Sequence, residues 1–488
     1  MLGTDRRTVA AALTVTVLAL LAACGADRLP PVAARPTNPP IVTTDEGPGR
    51  RADTADADAA DPGDTADPDD TGDGGDPDQT PRPDDTGDLG DRGAPDATVP
   101  SDDTVAPTAT TDDPAPETSV ETISAEAWAA FDAALSTRLV GAGDQAAAVA
   151  VAVDGQIVHT ADFGERVPPA PAPPASTVPG STDAAATSIA AGGADGADGE
   201  PIEPGDRFRI ASISKVITAT VVLQLVEAGQ IKLDDPLGDR LAAIVGTTVS
   251  DPAASAITVR QLLSHTSGFA SYQGTFFGGR VDSCQSVAQQ AFGTGLAAAP
   301  GTAYRYSNLN FCLLGLLVED VAGRPYQDVV EDRLLEPLGI DGMRLAGTFD
   351  PDPAEVVHVS GAGRNYMEVL GAAGAWVATP SDLVKILGSL DPRTRGFHPL
   401  SPPMAELMRQ PPPSPPSDPE HWYGLGTMAF GDGSFGHTGT VEQTHAMVLD
   451  RPDGVTWSIL VSGPVPWETG DLRGVFDRSV AEAGITFG

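Results

Sequence analysis

Lysine is nearly missing from this 488-residue chain: Lys215, Lys232 and Lys385 are the only three. Acidic residues outnumber basic ones by 68 to 29, a formal net charge of −39, which argues against nucleic acid as a partner. Histidine is also scarce. Besides His265 and His437, the chain has His159, His358, His398, His421 and His445, and these show no metal-ligand spacing, so no metal or cofactor is expected. The strained G-x-S-x-G serine turn is missing too: Asp432-Gly433-Ser434-Phe435-Gly436 lacks its first glycine, so an α/β-hydrolase is not supported. From Ala26 to Thr122 large apolar residues almost vanish. In their place stand Asp, Pro, Thr, Gly and Ala, with runs such as Asp64-Thr65-Ala66-Asp67-Pro68-Asp69-Asp70.

That stretch cannot bury enough surface to offset its ordering entropy, so residues 24–122 are expected to form a disordered acidic linker. It holds roughly half of the net charge, and a flexible coil of this length averages about 50–60 Å end to end. Residues 1–23 read as an export signal. Arg6-Arg7 supply a short basic region, and the apolar stretch Val9–Leu20 is too short to span a bilayer comfortably. The segment ends Leu21-Ala22-Ala23-Cys24, which resembles a bacterial lipobox and implies a lipid anchor on Cys24 at the outer face of the cell membrane. The alternative is an ordinary signal peptide with an incidental cysteine. Arg6-Arg7 leave twin-arginine or general export open. With Cys24 lipidated, Cys284 and Cys312 remain either as a disulfide in an oxidising compartment or as two buried thiols.

The rest, 123–488, has globular patterning. Ser124 suits the cap of a helix to about Val140, with Trp128, Phe131, Leu135 and Leu139 on one face. A hairpin follows, Ala146–Val153 and Gln156–Phe163 around Asp154-Gly155. Residues 165–204 break the pattern with Pro, Ala, Gly and Ser and almost no apolar periodicity. Helical patterns dominate from Ser214 to about Ala346. Strands are expected at Tyr423–Phe430, Gly436–Leu449 and Thr456–Val461, and a last helix at Asp471–Ala483. This order implies an α/β fold: an antiparallel sheet flanked by terminal helices, plus a mostly helical second subdomain.

Three short strings carry the chemistry: Ser212-Ile213-Ser214-Lys215, Tyr306-Ser307-Asn308 and His437-Thr438-Gly439. Gly229 and Asp382 precede the other two lysines by three residues, so S-x-x-K occurs once. At a helix start that spacing puts the two side chains one turn apart on one face. A serine is a weak nucleophile until a base takes its proton, and a lysine can do so only when partly desolvated. The three strings, in this order, resemble the S-x-x-K, Y-x-N and K/H-T-G boxes of the penicillin-recognising serine hydrolases. Phe208-Arg209-Ile210-Ala211 before the serine, Leu262-Leu263-Ser264-His265-Thr266-Ser267-Gly268 and Ala373-Gly374-Ala375-Trp376 extend the resemblance. It is closest to class C β-lactamases and to secreted serine D-Ala-D-Ala carboxypeptidases with histidine in the third box. The S-D-N box of class A β-lactamases is missing.

The resemblance implies a β-lactamase/transpeptidase-like fold with the cleft between its two parts, and by comparison with the family 165–204 looks like an inserted surface loop beside the sheet. It implies Ser212 as nucleophile, Lys215 and Tyr306 as proton handlers in an order left open, and Asn308 bonding both lysine and substrate. Thr438 would meet a substrate carboxylate, Gly439 would admit the substrate backbone, and the N–H groups of Ser212 and Thr440 would form the oxyanion hole. His265 reads as structural. His437 replaces the commoner lysine and would carry charge only below about pH 6.5, making the affinity for anionic substrates pH-dependent. The expected activity is a D-Ala-D-Ala carboxypeptidase or related D-amino-acid peptidase, a monomer acting on peptidoglycan stem peptides. A carboxylesterase or amidase, a β-lactamase and a non-hydrolytic penicillin- or cell-wall-peptide-binding protein are the alternatives.

Overall fold

The computed structural model describes residues 123–140, 146–166, 200–349, 351–356, 364–414 and 418–487. The export segment 1–23, Cys24, the acidic linker 24–122, most of the 165–204 insertion and His358 lie outside the described residues.

Helix α1 (Ala125–Leu139) starts at Ser124, whose side chain accepts a hydrogen bond from the Ala127 N–H at 3.2 Å. Phe131, Leu135 and Leu139 are buried as the spacing predicts. The large sheet has eight strands: β1 (Ala146–Val153), β2 (Gln156–Arg166), β3 (Glu200–Pro201), β4 (His421–Tyr423), β5 (Met428–Phe430), β6 (Phe435–Val441), β7 (Thr444–Asp450) and β8 (Val455–Ser462). Their order across the sheet is β3-β2-β1-β8-β7-β6-β5-β4, antiparallel throughout. The β1–β2 turn has Asp154 at φ 48° and Gly155 at φ 80°, the double left-handed geometry that Asp-Gly accommodates.

Strand β1 is buried on both faces, and its sequence divides the work by size. Val149, Val151 and Val153 pack with Phe131, Trp457 and Phe476 in the core under α1 and the last helix (Leu472–Glu482). Ala150 and Ala152 meet Val384 of the helix Pro380–Gly388 on the opposite face, where small side chains let that helix approach. The insertion is pinned at its base, where Glu165 and Arg166 pair with Pro201 and Glu200 at the sheet edge.

Two sequence expectations are refined. The stretch Tyr423–Phe430 is two short strands, because Gly426 turns the chain at φ 87°. The stretch Gly436–Leu449 is a hairpin, β6 and β7, turned at Glu442 (φ 51°) without a glycine or asparagine to announce it. No described helix is long and apolar enough to cross a membrane.

The helical part holds the helix Ser214–Glu227, buried almost all round, and the helix Asn308–Ala322 beside it. Cys284 and Cys312 are joined as a disulfide, Cα atoms 5.8 Å apart, tying the helix Cys284–Thr294 to the helix that begins at Asn308. Closing a loop of this length contributes about 3–4 kcal/mol through the unfolded state. A small second sheet (207–209, 344–345, 355–356, 376–378) delivers the chain into Ser212.

Candidate active site

Arg207–Arg209 ends as a strand, and Ala211 then turns at φ 46°, unusual for a residue with a Cβ. The turn places Ser212 in a single 3₁₀ turn (Ala211–Ile213) that runs into the helix Ser214–Glu227. N–H groups in a first helical turn have no partner within the helix, which leaves that of Ser212 free to serve a ligand. Ser212 stays partly exposed, whereas Lys215 has no exposed surface.

Lys215 Nζ lies 3.0 Å from Ser212 Oγ, 2.9 Å from Asn308 Oδ1 and 2.7 Å from the Ala373 carbonyl. Burial holds its pKa well below the ordinary lysine value. A neutral amine has two N–H bonds and one lone pair. Asn308 Oδ1 and the Ala373 oxygen accept only, so they take both N–H groups, and the lone pair is left for the Ser212 hydroxyl proton. That arrangement is a nucleophile with its base in hydrogen-bond reach. Tyr306 completes the triangle, its ring 5.0 Å from Lys215 Nζ. Burial raises the pKa of its hydroxyl while the neighbouring Ser212 hydroxyl pulls the other way. Burial thus favours the phenol form of Tyr306 and the neutral amine form of Lys215.

His265 stands behind Tyr306, ring centroids 4.3 Å apart. Its Nδ1 accepts from the Ser307 N–H at 3.3 Å and from Asn310 Nδ2 at 3.0 Å, and burial keeps it neutral. The sequence-predicted structural role matches this placement. Ser267 fixes Asn310 in turn at 2.7 Å.

Strand β6 borders the same site. A Cβ on Gly439 would lie 2.1 Å from the Ile210 carbonyl oxygen, so only glycine lets β6 run this close to the segment leading into Ser212. Thr438 stays partly exposed and Thr440 exposed, with the Thr440 hydroxyl 2.6 Å from that of Thr469. His437 departs from expectation. It is 2 % exposed, and its pKa is lowered to about 3 chiefly by burial, to which Lys215 adds when protonated and which the Thr438 backbone opposes. Its Nδ1 lies 2.5 Å from the Thr438 carbonyl, which only accepts, so Nδ1 carries the proton. Nε2 then accepts from the Tyr423 hydroxyl at 3.0 Å. The expected titration near pH 6.5 is overturned, because the fold seals the imidazole between Tyr423 and the strand.

The structure thus brings Ser212, Lys215, Tyr306 and Asn308 into direct contact, with His437–Thr440 alongside. Sequence reasoning missed the strained Ala211, the Ala373 carbonyl and Tyr423. Ala373 was visible only as part of a turn motif, and nothing in His421-Trp422-Tyr423 marks a site residue. Among the described residues no group of His, Cys, Asp and Glu is arranged to hold a metal.

An antiparallel sheet with flanking helices, and a serine–lysine–tyrosine triangle where it meets a helical part, define the class of penicillin-recognising serine hydrolases. The Beta-lactamase family model matches residues 131–482, and the chain belongs to that family. It is 38% identical over 135 residues to Penicillin-binding protein 4 of Amycolatopsis lactamdurans, covering 27% of this chain and 34% of that protein. It is 30% identical over 190 residues to the D-alanyl-D-alanine-carboxypeptidase/endopeptidase AmpH of Escherichia coli, covering 36% and 47%. These matches span about a third to a half of the relatives' length. Among solved structures, a D-stereospecific amidohydrolase from Streptomyces aligns over 73% of this chain and 99% of its own, with TM-score 0.53 and 26% identity.

Proposed function

We propose that the chain hydrolyses D-amino-acid peptides through an acyl-enzyme on Ser212. The lone pair of Lys215, turned toward the Ser212 hydroxyl by two acceptor-only partners, carries the reading. Lys215 takes the serine proton as Oγ attacks the scissile carbonyl. Tyr306, held as a phenol, passes a proton to the leaving amine and receives one back from Lys215. The N–H groups of Ser212 and Thr440 hold the oxyanion, and Asn308 steadies both lysine and substrate. Water then releases the acid by the reverse proton route. The likeness to the D-alanyl-D-alanine-carboxypeptidase/endopeptidase supports a D-alanyl-D-alanine or related D-peptide substrate, with peptidoglycan stem peptides as its natural source. The amidohydrolase likeness supports an amide over an ester. Residues 1–24 support export and lipid anchoring at the extracytoplasmic face of the cell membrane, with the linker as tether; Cys24→Ala should lose fatty-acid labelling and membrane sedimentation.

Incubation with a fluorescent penicillin should label the protein stably at Ser212, and diacetyl-L-Lys-D-Ala-D-Ala should yield free D-Ala. Labelling that survives Ser212→Ala would sink the assignment. Rapid turnover of the penicillin would move the function to a β-lactamase.

The neutral His437 has a kinetic consequence. Because its pKa lies near 3, its charge does not change between pH 5 and 8. KM for a carboxylate-terminated peptide should show no step near pH 6.5 over that range. A rise in KM tracking an ordinary imidazole would show that substrate binding reopens the site to solvent.

A further inference from the structure

The strand bearing the third motif has an open edge. Strand β6 pairs with β7 along all of Phe435–Val441, but with β5 only at Phe435 and Gly436. From His437 to Val441 no strand among the described residues pairs with its other edge, on the strand whose Gly439 abuts Ile210, two residues before Ser212. An extended peptide can add to such an edge through main-chain hydrogen bonds. On the proposed reading, with the scissile carbonyl at Ser212 and Thr440 and the leaving-group carboxylate at Thr438, the acyl part runs on toward the end of β6.

Glu442 stands at that end. Three residues of strand separate it from Gly439, about 10 Å at the usual rise. Its left-handed backbone, φ 51°, turns the chain there, and its side chain is half-buried. The carboxylate has a support: the Tyr366 hydroxyl accepts from Arg209 Nη1 and donates to Glu442 Oε2 at 3.4 Å. Tyr366 is 1 % exposed and lies beside Phe277, ring centroids 6.0 Å apart, so the support is itself held in place. Arg209 also donates to the Gly347 and Thr348 carbonyls, so its guanidinium is shared among several acceptors and reaches Glu442 through the Tyr366 hydroxyl. Among the described residues Glu442 makes no ion pair. At the other end of the strand segment, the motif position that is more often lysine is a buried histidine.

We propose that Glu442 is a specificity residue that selects substrates carrying an ammonium group on the acyl side of the scissile bond. This rests on the acyl-enzyme reading and names the charge of its substrate. The ammonium has two chemical sources: the free α-amine of an N-terminal D-residue, or the side-chain amine of a basic residue. A half-buried carboxylate with one weak internal hydrogen bond gains a charge-assisted partner in either case.

The test uses the full chain and four p-nitroanilides. D-Alanyl against Nα-acetyl-D-alanyl reports the α-ammonium, and Nα-acetyl-D-lysyl against Nα-acetyl-D-norleucyl reports the side-chain ammonium. In the wild type, kcat/KM should favour the charged member of at least one pair by roughly ten- to a hundred-fold, the scale of a hydrogen bond to a charged group. The preference should shrink as salt is raised. Glu442→Gln should bring the ratio close to one, and Glu442→Asp should restore much of it. A wild-type ratio near one in both pairs, or a ratio that persists in Glu442→Gln, overturns the proposal. If Glu442→Gln does not fold, the wild-type ratios and their salt dependence decide. Penicillin labelling at Ser212 is read in parallel: intact labelling with ratios near one removes only the role of Glu442, while no labelling and no turnover removes the acyl-enzyme reading beneath it.

Discussion

Lys215→Ala will lower kcat/KM for a D-peptide by about 10⁴-fold, the scale of losing a positioned general base that activates a serine. Lys215→Arg will not restore it, since a guanidinium stays protonated and has no lone pair to offer. The wild-type pH profile follows from the same geometry. Lys215 must be neutral to accept the proton, and burial holds its pKa well below the ordinary lysine value. As pH falls through that lowered pKa, Nζ gains a third N–H and loses its lone pair, so activity falls with it. Activity is retained above it, where the amine stays neutral. The profile should thus show an acid limb set by Lys215, with Tyr306 still a phenol because burial raises its pKa. Removing Lys215 leaves Asn308 Oδ1 and the Ala373 carbonyl without their donor, so circular dichroism and thermal melting must show that the variant is folded. A folded Lys215→Ala that keeps a tenth of wild-type activity would show that Tyr306 or water is the base instead.

What the sequence revealed and what it hid divide along a physical line. Ser212 and Lys215 are three positions apart at a helix start, so backbone geometry alone brings them together, and one scarce lysine marks the place. Ser124, Asp154 and Gly155 were legible for the same reason: capping and turn chemistry act within a few residues. The Ala373 carbonyl is a backbone acceptor supplied 158 positions away and has no side-chain signature. The Glu442 turn was hidden because a residue with a Cβ adopts a left-handed conformation there, held by hairpin pairing on either side. The charge of His437 was misread for a related reason. Imidazole alone predicts titration near pH 6.5, but Tyr423 and the surrounding core exclude the water that protonation needs, and that burial exists only once β4, β5 and β6 are assembled. Local chemistry was readable; charge states set by distant packing were not.

Gly439→Ala should be strongly damaging to turnover although it touches no reacting group. The added methyl would sit 2.1 Å from the Ile210 carbonyl oxygen and 3.3 Å from the Ala211 Cβ. The first distance is far inside contact, and the atom met is backbone, so no side chain can swing aside. Either β6 moves outward by about 1 Å or the strained turn at Ala211 relaxes. Both movements separate the N–H of Thr440 from that of Ser212, and losing one oxyanion donor typically costs ~10²–10³ in kcat. The expected result is a folded protein whose kcat falls by that factor, while the large sheet stays paired through β6 and β7. Gly293→Ala is the matched control. Gly293 is exposed in the helix Cys284–Thr294, and an added Cβ there meets nothing within 4 Å, so activity should be unchanged and stability slightly improved. Wild-type kcat in Gly439→Ala, with Gly293→Ala also normal, would show that β6 does not set the oxyanion geometry. That result would return the role of Thr440 to the family resemblance from which it came.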